Sequence, residues 1–108
     1  MLKINYDETI EICQGDRGFF SITFKDYEIT NSDLISFIIK NDDLTILKKK
    51  PFKIDSGIAF FELKTEDTIN LNEGIYTYFV VVKLNEDICM NIVTEKEFKI
   101  KRGVIYEL

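Results

Sequence analysis

Residues 75–84, IYTYFVVVKL, are the segment that most restricts how this chain can fold. Successive side chains of a β-strand point to opposite faces of a sheet, so the segment divides into two alternating sets. One set begins with Tyr76 and Tyr78, the other begins with Ile75, and both are largely apolar. A strand with one solvated face would not carry apolar side chains in both sets. We therefore expect that a second layer of this chain, or a partner, covers the second face.

The same two-residue period recurs along most of the sequence, whereas the 3.6-residue period of helices is almost absent. Phe20, Ile22 and Phe24, for example, alternate with polar residues. Turn-forming stretches such as Gly15–Gly18 and Ser56–Gly57 separate these segments at intervals of roughly 8 to 12 residues. A single helical turn is expected over residues 65–70, capped by Thr65. The pattern predicts an all-β fold, an antiparallel β-sandwich of about eight short strands.

The residues that precede the strand at 75–84 indicate a structural corner. Leu71, Gly74 and Tyr76 stand in the order found at the corner that leads into a late strand of immunoglobulin-like sandwiches. In such corners the tyrosine hydroxyl bonds back to the backbone just upstream. These three residues are therefore assigned a structural role, and the predicted sandwich is immunoglobulin-like. Because no linker or repeat interrupts the strands, we expect one domain that spans residues 1–108.

Charge and hydropathy exclude two kinds of partner. The formal net charge is −5, whereas a protein that binds nucleic acid needs a cationic surface. The one basic run, Lys48–Lys50, is interpreted as a solvated loop. No segment approaches the roughly 18 apolar residues of a membrane span, and carboxylates interrupt the N-terminus where a signal peptide is apolar. We expect no nucleic-acid or membrane partner, and synthesis in the cytoplasm.

The composition offers no catalytic or metal-binding constellation. Histidine, the commonest general base and metal ligand, is absent. Cys13 and Cys89 each lie in an apolar segment and are expected to be buried free thiols. The acidic pairs Asp42–Asp43 and Glu66–Asp67 lack the ligand spacing of a calcium loop. We therefore expect a protein that is not an enzyme and that uses no metal or other cofactor.

The aromatic residues indicate a binding surface. The chain contains nine phenylalanines, and two adjacent pairs, Phe19–Phe20 and Phe60–Phe61, place their rings on opposite faces if they lie in strands. One member of each pair then lies outside the core, and exposed aromatic rings are typical of protein interfaces. The candidate interface residues are Phe19, Phe61 and Phe79.

Several short motifs follow one another along nearly the whole chain. They are Gly15-Asp16-x-Gly18, Asp33 before Phe37-Ile38-Ile39-Lys40, Gly57-Ile58-Ala59, Glu66-Asp67-Thr68, Leu71-x-x-Gly74-x-Tyr76-x-Tyr78, and Val93-Thr94 before Phe98. In this order they resemble the N-terminal immunoglobulin-like domain of phage baseplate upper proteins and related prophage tail-associated domains of Gram-positive bacteria. The resemblance covers about residues 8 to 105. Members often carry an acidic residue where this chain has Phe79, and their C-terminal trimerising extension has no counterpart in these 108 residues.

The resemblance implies a non-enzymatic structural or adaptor protein of a phage or prophage-derived tail, in the baseplate or tail tip. Such a protein is made in the host cytoplasm and then joins the virion tail. It acts through contacts to phage tail or baseplate proteins, or to copies of itself.

Two other classes of function stay open. A β-sandwich can serve as a carbohydrate-binding module, for which Tyr6, Tyr27 and Tyr106 would have to provide the aromatic platform because the chain has no tryptophan. The other class is a small inhibitor or regulator of a host protein.

Overall fold

Nine strands and one short helix are present in the computed structural model, which describes residues 2–25, 28–30, 33–83 and 89–102. The strands are β1 (Lys3–Ile4), β2 (Ile10–Cys13), β3 (Gly18–Thr23), β4 (Leu34–Asn41), β5 (Leu44–Lys49), β6 (Lys53–Asp55), β7 (Ile58–Leu63), β8 (Gly74–Lys83) and β9 (Cys89–Lys101). The helix α1 (Thr65–Thr68) lies between β7 and β8. The all-β prediction is confirmed.

The strands form two sheets that pack face to face. The larger sheet has the order β1-β2-β9-β8-β4-β5, and the smaller sheet has the order β3-β7-β6. Alternate residues of β4, β7 and β8 are buried, as expected of strands with one face turned toward a second sheet. The prediction of a β-sandwich is thus confirmed.

One strand pair departs from the antiparallel pattern that the sequence predicts. β2 and β9 are parallel, with Ile10 opposite Phe98 and Cys13 opposite Lys101. Only strands joined by a tight turn are forced to be antiparallel, and nearly the whole described chain lies between these two. All other neighbouring pairs are antiparallel.

The core between the sheets is centred on Phe37, which is fully buried on the inner face of β4. Its ring centroid lies 4.9 Å from that of Phe20, 5.3 Å from Tyr78, 5.9 Å from Phe61 and 6.0 Å from Phe98. These separations fall within the range of favourable aromatic pairs. Rings from both sheets therefore meet at one residue.

The two faces of β8 have different surroundings. Tyr78, Val80 and Val82 point between the sheets and are buried. On the other face Ile75 is 66% exposed and Phe79 is only partly buried. No layer formed by the described residues covers this face.

Several local predictions need correction. Lys64, not Thr65, is the N-cap of α1, and the Asp67 carboxylate accepts a hydrogen bond from the Lys64 N–H. Lys48 and Lys49 belong to edge strand β5 rather than to a loop, and the Lys49 ammonium pairs with Asp67 at 2.8 Å. Cys89 is exposed rather than buried, because its side chain points outward at the start of β9.

Some predictions lie partly or wholly outside the described residues. The sequence also predicts turns at 31–33 and 85–87 and a strand from Val104 to Glu107, which belong to this group, as does the end of the predicted strand at Leu84.

Candidate protein-interaction site

The outer face of the smaller sheet carries three phenylalanine rings, which we call the aromatic cluster: Phe19, Phe52 and Phe60. The β6–β7 hairpin turns at Ser56 and Gly57, whose φ angles are 52° and 76°. This two-residue turn pairs Lys53 with Phe60, and β3 pairs Ser21 with Phe60 on its other side. Paired residues share a face, so Phe60 lies at the centre of the outer surface.

The rings of the cluster are in mutual contact and open to solvent. The ring centroids of Phe19 and Phe52 are 6.1 Å apart at an interplanar angle of 81°, and those of Phe52 and Phe60 are 6.4 Å apart at 46°. Phe19 is 58% exposed and Phe52 is 60% exposed, whereas Phe60 is partly buried. Exposed apolar rings that cluster on a surface are typical of sites for contact with other molecules.

Two cations border the aromatic cluster. The Arg17 guanidinium lies 5.1 Å from the centroid of Phe19, and the Lys53 ammonium lies 5.6 Å from that of Phe60. Arg17 also pairs with Glu62, which faces Phe19 across the β3–β7 ladder. Each cation–ring contact at an exposed site contributes about 0.5–1 kcal/mol. The rim is therefore polar and mainly cationic around an apolar centre.

The rings of the cluster are inclined to one another and do not form one flat platform. Of the tyrosines considered for a sugar platform, Tyr6 is fully exposed in the turn between β1 and β2, while Tyr27 and Tyr106 lie outside the described residues.

The assignment of Phe61 to an exposed interface is wrong. Phe61 is fully buried and stacks on Phe20 with centroids 5.2 Å apart. The neighbouring residue Phe60 is the outward member of that pair, because it pairs with Lys53, which is exposed. Phe52, which precedes β6, was not identified as an interface candidate from the sequence.

The three predicted interface residues are not brought together. Phe19 lies on the outer face of the smaller sheet, and Phe61 lies between the sheets. Phe79 lies on the outer face of the larger sheet, half-buried, with the Lys40 ammonium 5.3 Å from its ring centroid. Phe19 and Phe79 therefore belong to two separate surfaces on opposite sides of the molecule.

The predicted structural corner contains a hydrogen bond from the tyrosine hydroxyl to the backbone just upstream. The Tyr76 hydroxyl donates to the Asn72 carbonyl oxygen at 2.7 Å. Leu71 packs against the core, and its N–H donates to the Thr68 carbonyl at 3.1 Å. Gly74, by contrast, has no atom within 4 Å of the place a Cβ would occupy, so space alone does not require a glycine there.

Titratable groups with altered pKa values lie near the β1–β2 turn, away from the aromatic cluster. Burial, together with the carboxylates of Glu8 and Asp7, raises the pKa of the Tyr78 phenol well above its usual range. The hydroxyl donates to the Glu8 carbonyl oxygen at 2.5 Å. The Thr9 N–H, which bonds to the Asp7 carboxylate at 3.1 Å, lowers the pKa of Asp7. These groups serve the β1–β2 turn, and Tyr78 and Glu8 also line a pocket together with Ser21, Thr23 and Lys25.

The described ranges contain neither a metal-binding cluster nor a membrane-spanning helix. In those ranges no three histidine, cysteine or acidic side chains come together as a metal site. Nor do they include a helix with the length and apolar character needed to cross a bilayer.

Comparison with known proteins does not identify a relative. No protein-family model matches this chain, and a search of curated proteins finds no match. Function must therefore be inferred from the surfaces described above and from the motif resemblance.

Proposed function

We propose that this chain is a non-enzymatic structural or adaptor domain, of immunoglobulin-like type, in the tail of a phage or prophage-derived particle. It is made in the host cytoplasm and binds a neighbouring baseplate or tail-tip protein through the aromatic cluster. The observation that carries the proposal is the exposure of Phe19 and Phe52 in contact with each other on a sheet face. The motif resemblance supplies the phage tail as the setting.

The energetics of the aromatic cluster support a binding role. Burying about 100 Å² of each exposed ring would stabilise a contact by about 2.5 kcal/mol per ring. Aromatic residues at the centre of an interface commonly supply most of its binding energy. Phe19 and Phe52 are already held against each other, so little side-chain freedom is lost when a partner covers them.

The rim of the aromatic cluster supports a partner with acidic groups. Arg17 and Lys53 lie on either side of the rings, and only Arg17 has a carboxylate partner, Glu62, among the contacts described. A partner that places an apolar side chain between the rings and a carboxylate near Lys53 would satisfy both features. Such complementarity mainly sets specificity and the rate of association.

The direct experiment is quantitative mass spectrometry of purified particles induced from the source strain. We expect this chain at a fixed copy ratio to the tail-tube subunit. Recovery only from the soluble lysate would contradict the proposal.

A variant pair tests the surface. The double variant Phe19→Ser, Phe52→Ser should lose particle association while its melting temperature stays within a few degrees of the unmodified value, because both rings are largely exposed. Tyr6→Ser is the matched control, since Tyr6 is fully exposed but stands apart from the cluster. Equal incorporation of the double variant and the control would show that the aromatic cluster is not the contact.

A further inference from the structure

We propose that the outer face of the larger sheet is a homodimer interface, in which two copies pack face to face about a two-fold axis parallel to β8. This surface lies on the opposite side of the sandwich from the aromatic cluster, so the inference goes beyond the proposed function. It concerns the side chains that β4, β8 and β9 direct away from the core.

An apolar strip runs along the centre of this face. Ile38 on β4 pairs with Phe79 on β8, so both side chains point outward together. Val81 extends the strip along β8, and Ile75 and Leu34 occupy opposite ends of it, with 66% and 56% of their surfaces exposed. Phe79 and Val81 are each only partly buried by their sheet neighbours. β8 carries apolar side chains on both faces, and the smaller sheet covers only one of these faces.

Charges flank the apolar strip in an order that is complementary to itself. Thr77 on β8 has Lys40 of β4 on one side and Glu97 of β9 on the other, all in one cross-strand row. In the next row Ile75 pairs with Lys99 of β9. In the Thr77 row the acidic group is on the β9 side of β8 and the basic group is on the β4 side, whereas in the Ile75 row the β9 side is basic.

A two-fold axis along β8 exchanges the two sides of this strand. Rotation about it carries β9 of one copy over β4 of the other at the same height along the strand. Glu97 of each copy then faces Lys40 of the other, which forms two equivalent ion pairs at the rim of the apolar strip. In the neighbouring row Lys99 comes over Asp42, which borders the same shallow groove as Ile75. Such an isologous contact closes on itself as a dimer.

The size of the face is sufficient for a dimer. The ten residues of β8 extend over about 33 Å, and the four strands from β9 to β5 are about 19 Å wide. Their product is on the order of 600 Å² of flat area, and side-chain relief makes the accessible area larger. Specific interfaces bury about 800 Å² per partner. Lys83 of one copy comes over Lys83 of the other at the end of β8, where both side chains are exposed and their ammonium groups turn toward solvent.

The oligomeric state is the first test. Analytical ultracentrifugation of the unmodified chain should show a reversible monomer–dimer equilibrium. Phe79→Asp should shift the dissociation constant at least about tenfold toward monomer, because a carboxylate would be buried in the apolar strip. Phe52→Asp, which places the same charge on the aromatic cluster, should leave the dissociation constant unchanged. Circular dichroism and melting curves verify that both variants fold.

A charge exchange tests the two-fold geometry. Glu97→Lys and Lys40→Glu should each weaken the homodimer by roughly tenfold or more, because each creates two like-charged contacts. When the two variants are mixed, every contact again joins opposite charges, and heterodimers should form with about the affinity of the unmodified chain. Glu66→Lys on α1 is the control for charge alone, since it lies away from this face.

Three results would overturn the proposal. One is a chain that stays monomeric at about 1 mM, where even a weak interface is half occupied. Another is a dimer that Phe79→Asp leaves intact, or that Phe52→Asp disrupts, since the contact would then lie elsewhere. The last is a failure of the mixed charge variants to associate better than each variant alone, which would exclude the two-fold axis along β8.

Discussion

Replacement of Phe37 by alanine is the sharpest test of the core described above. Phe37 is fully buried, and its ring contacts those of Phe20, Phe61, Tyr78 and Phe98, so it touches aromatic side chains from both sheets. Truncation of a buried phenylalanine to alanine costs about 3–5 kcal/mol from lost burial and the remaining cavity. Because aromatic pairs add about 0.5–1.5 kcal/mol each beyond their area, we expect the upper part of that range.

The size of this loss makes it easy to measure. A domain of this length has a free energy of unfolding of about 5–15 kcal/mol, so the variant would lose about a quarter of it or more. At about 4 °C per kcal/mol, the melting temperature should fall by about 16–20 °C. Urea unfolding followed by circular dichroism should show a lower midpoint with an unchanged slope. If Phe37→Ala does not fold, Phe37→Leu keeps much of the apolar volume and should cost less than the alanine variant, although it also loses the aromatic pairs.

Phe52→Ala provides the comparison for the same chemical change at an exposed site. Phe52 is 60% exposed and meets other rings only on the outer surface, so its loss should cost less than about 1 kcal/mol. A loss below about 1 kcal/mol for Phe37→Ala, or equal losses for the two variants, would refute the placement of Phe37 at the centre of the core.

Two further predictions concern the pH dependence and the glycines. The lowered pKa of Asp7 contributes stability that is present above its ordinary value of 3.8 and is lost as the pH falls through the folded-state pKa. Melting curves below about pH 4 should therefore show a smaller loss for Asp7→Asn than for the unmodified chain, and an equal loss would contradict the role of the Thr9 hydrogen bond. Gly18→Ala should destabilise the fold by about 1–3 kcal/mol, because its Cβ would lie 2.5 Å from the Cβ of Leu2. Gly74→Ala meets no neighbouring atom and should be neutral within about 0.5 kcal/mol, and a reversed order in urea unfolding would refute this packing.

Much of the fold follows from local sequence patterns. The two-residue period predicts the strands, and turn residues such as Ser56–Gly57 predict where they end, because both signals depend on backbone geometry alone. The parallel pairing of β2 with β9 could not be predicted in this way, since no local turn connects the two strands. The position of α1 is predicted, but its cap is shifted by one residue, because the Asp67 carboxylate bonds to the N–H of Lys64.

The sequence contains a signal that shows which member of the Phe60–Phe61 pair is exposed. A two-residue turn at Ser56–Gly57 fixes the hairpin register, and counting back from it pairs Lys53 with Phe60. A lysine is almost never fully buried without a partner, so Lys53 lies on the outer face of the sheet. Phe60 pairs with Lys53 and therefore lies on the same face. Phe52 has no such signal, because it precedes β6 and no strand period specifies its direction.

The two-residue period of β8 does not predict what surrounds each face of the strand. The alternation shows that both faces of this strand are apolar, and the structure shows that the smaller sheet covers only one of them. No pattern within β8 indicates which of its two apolar faces the smaller sheet covers.

The parallel alignment of β2 and β9 has a mechanical consequence. The chain enters β2 at Ile10, opposite Phe98, and leaves β9 at Lys101, opposite Cys13, so entry and exit lie at opposite ends of this four-residue ladder. A force that pulls these two connections apart acts along both strands and loads all of their hydrogen bonds together in shear. An antiparallel pair at the same place would open one bond at a time from its end. Once the two-residue strand β1 has peeled away, the domain is therefore built to carry tension between its entry and exit points.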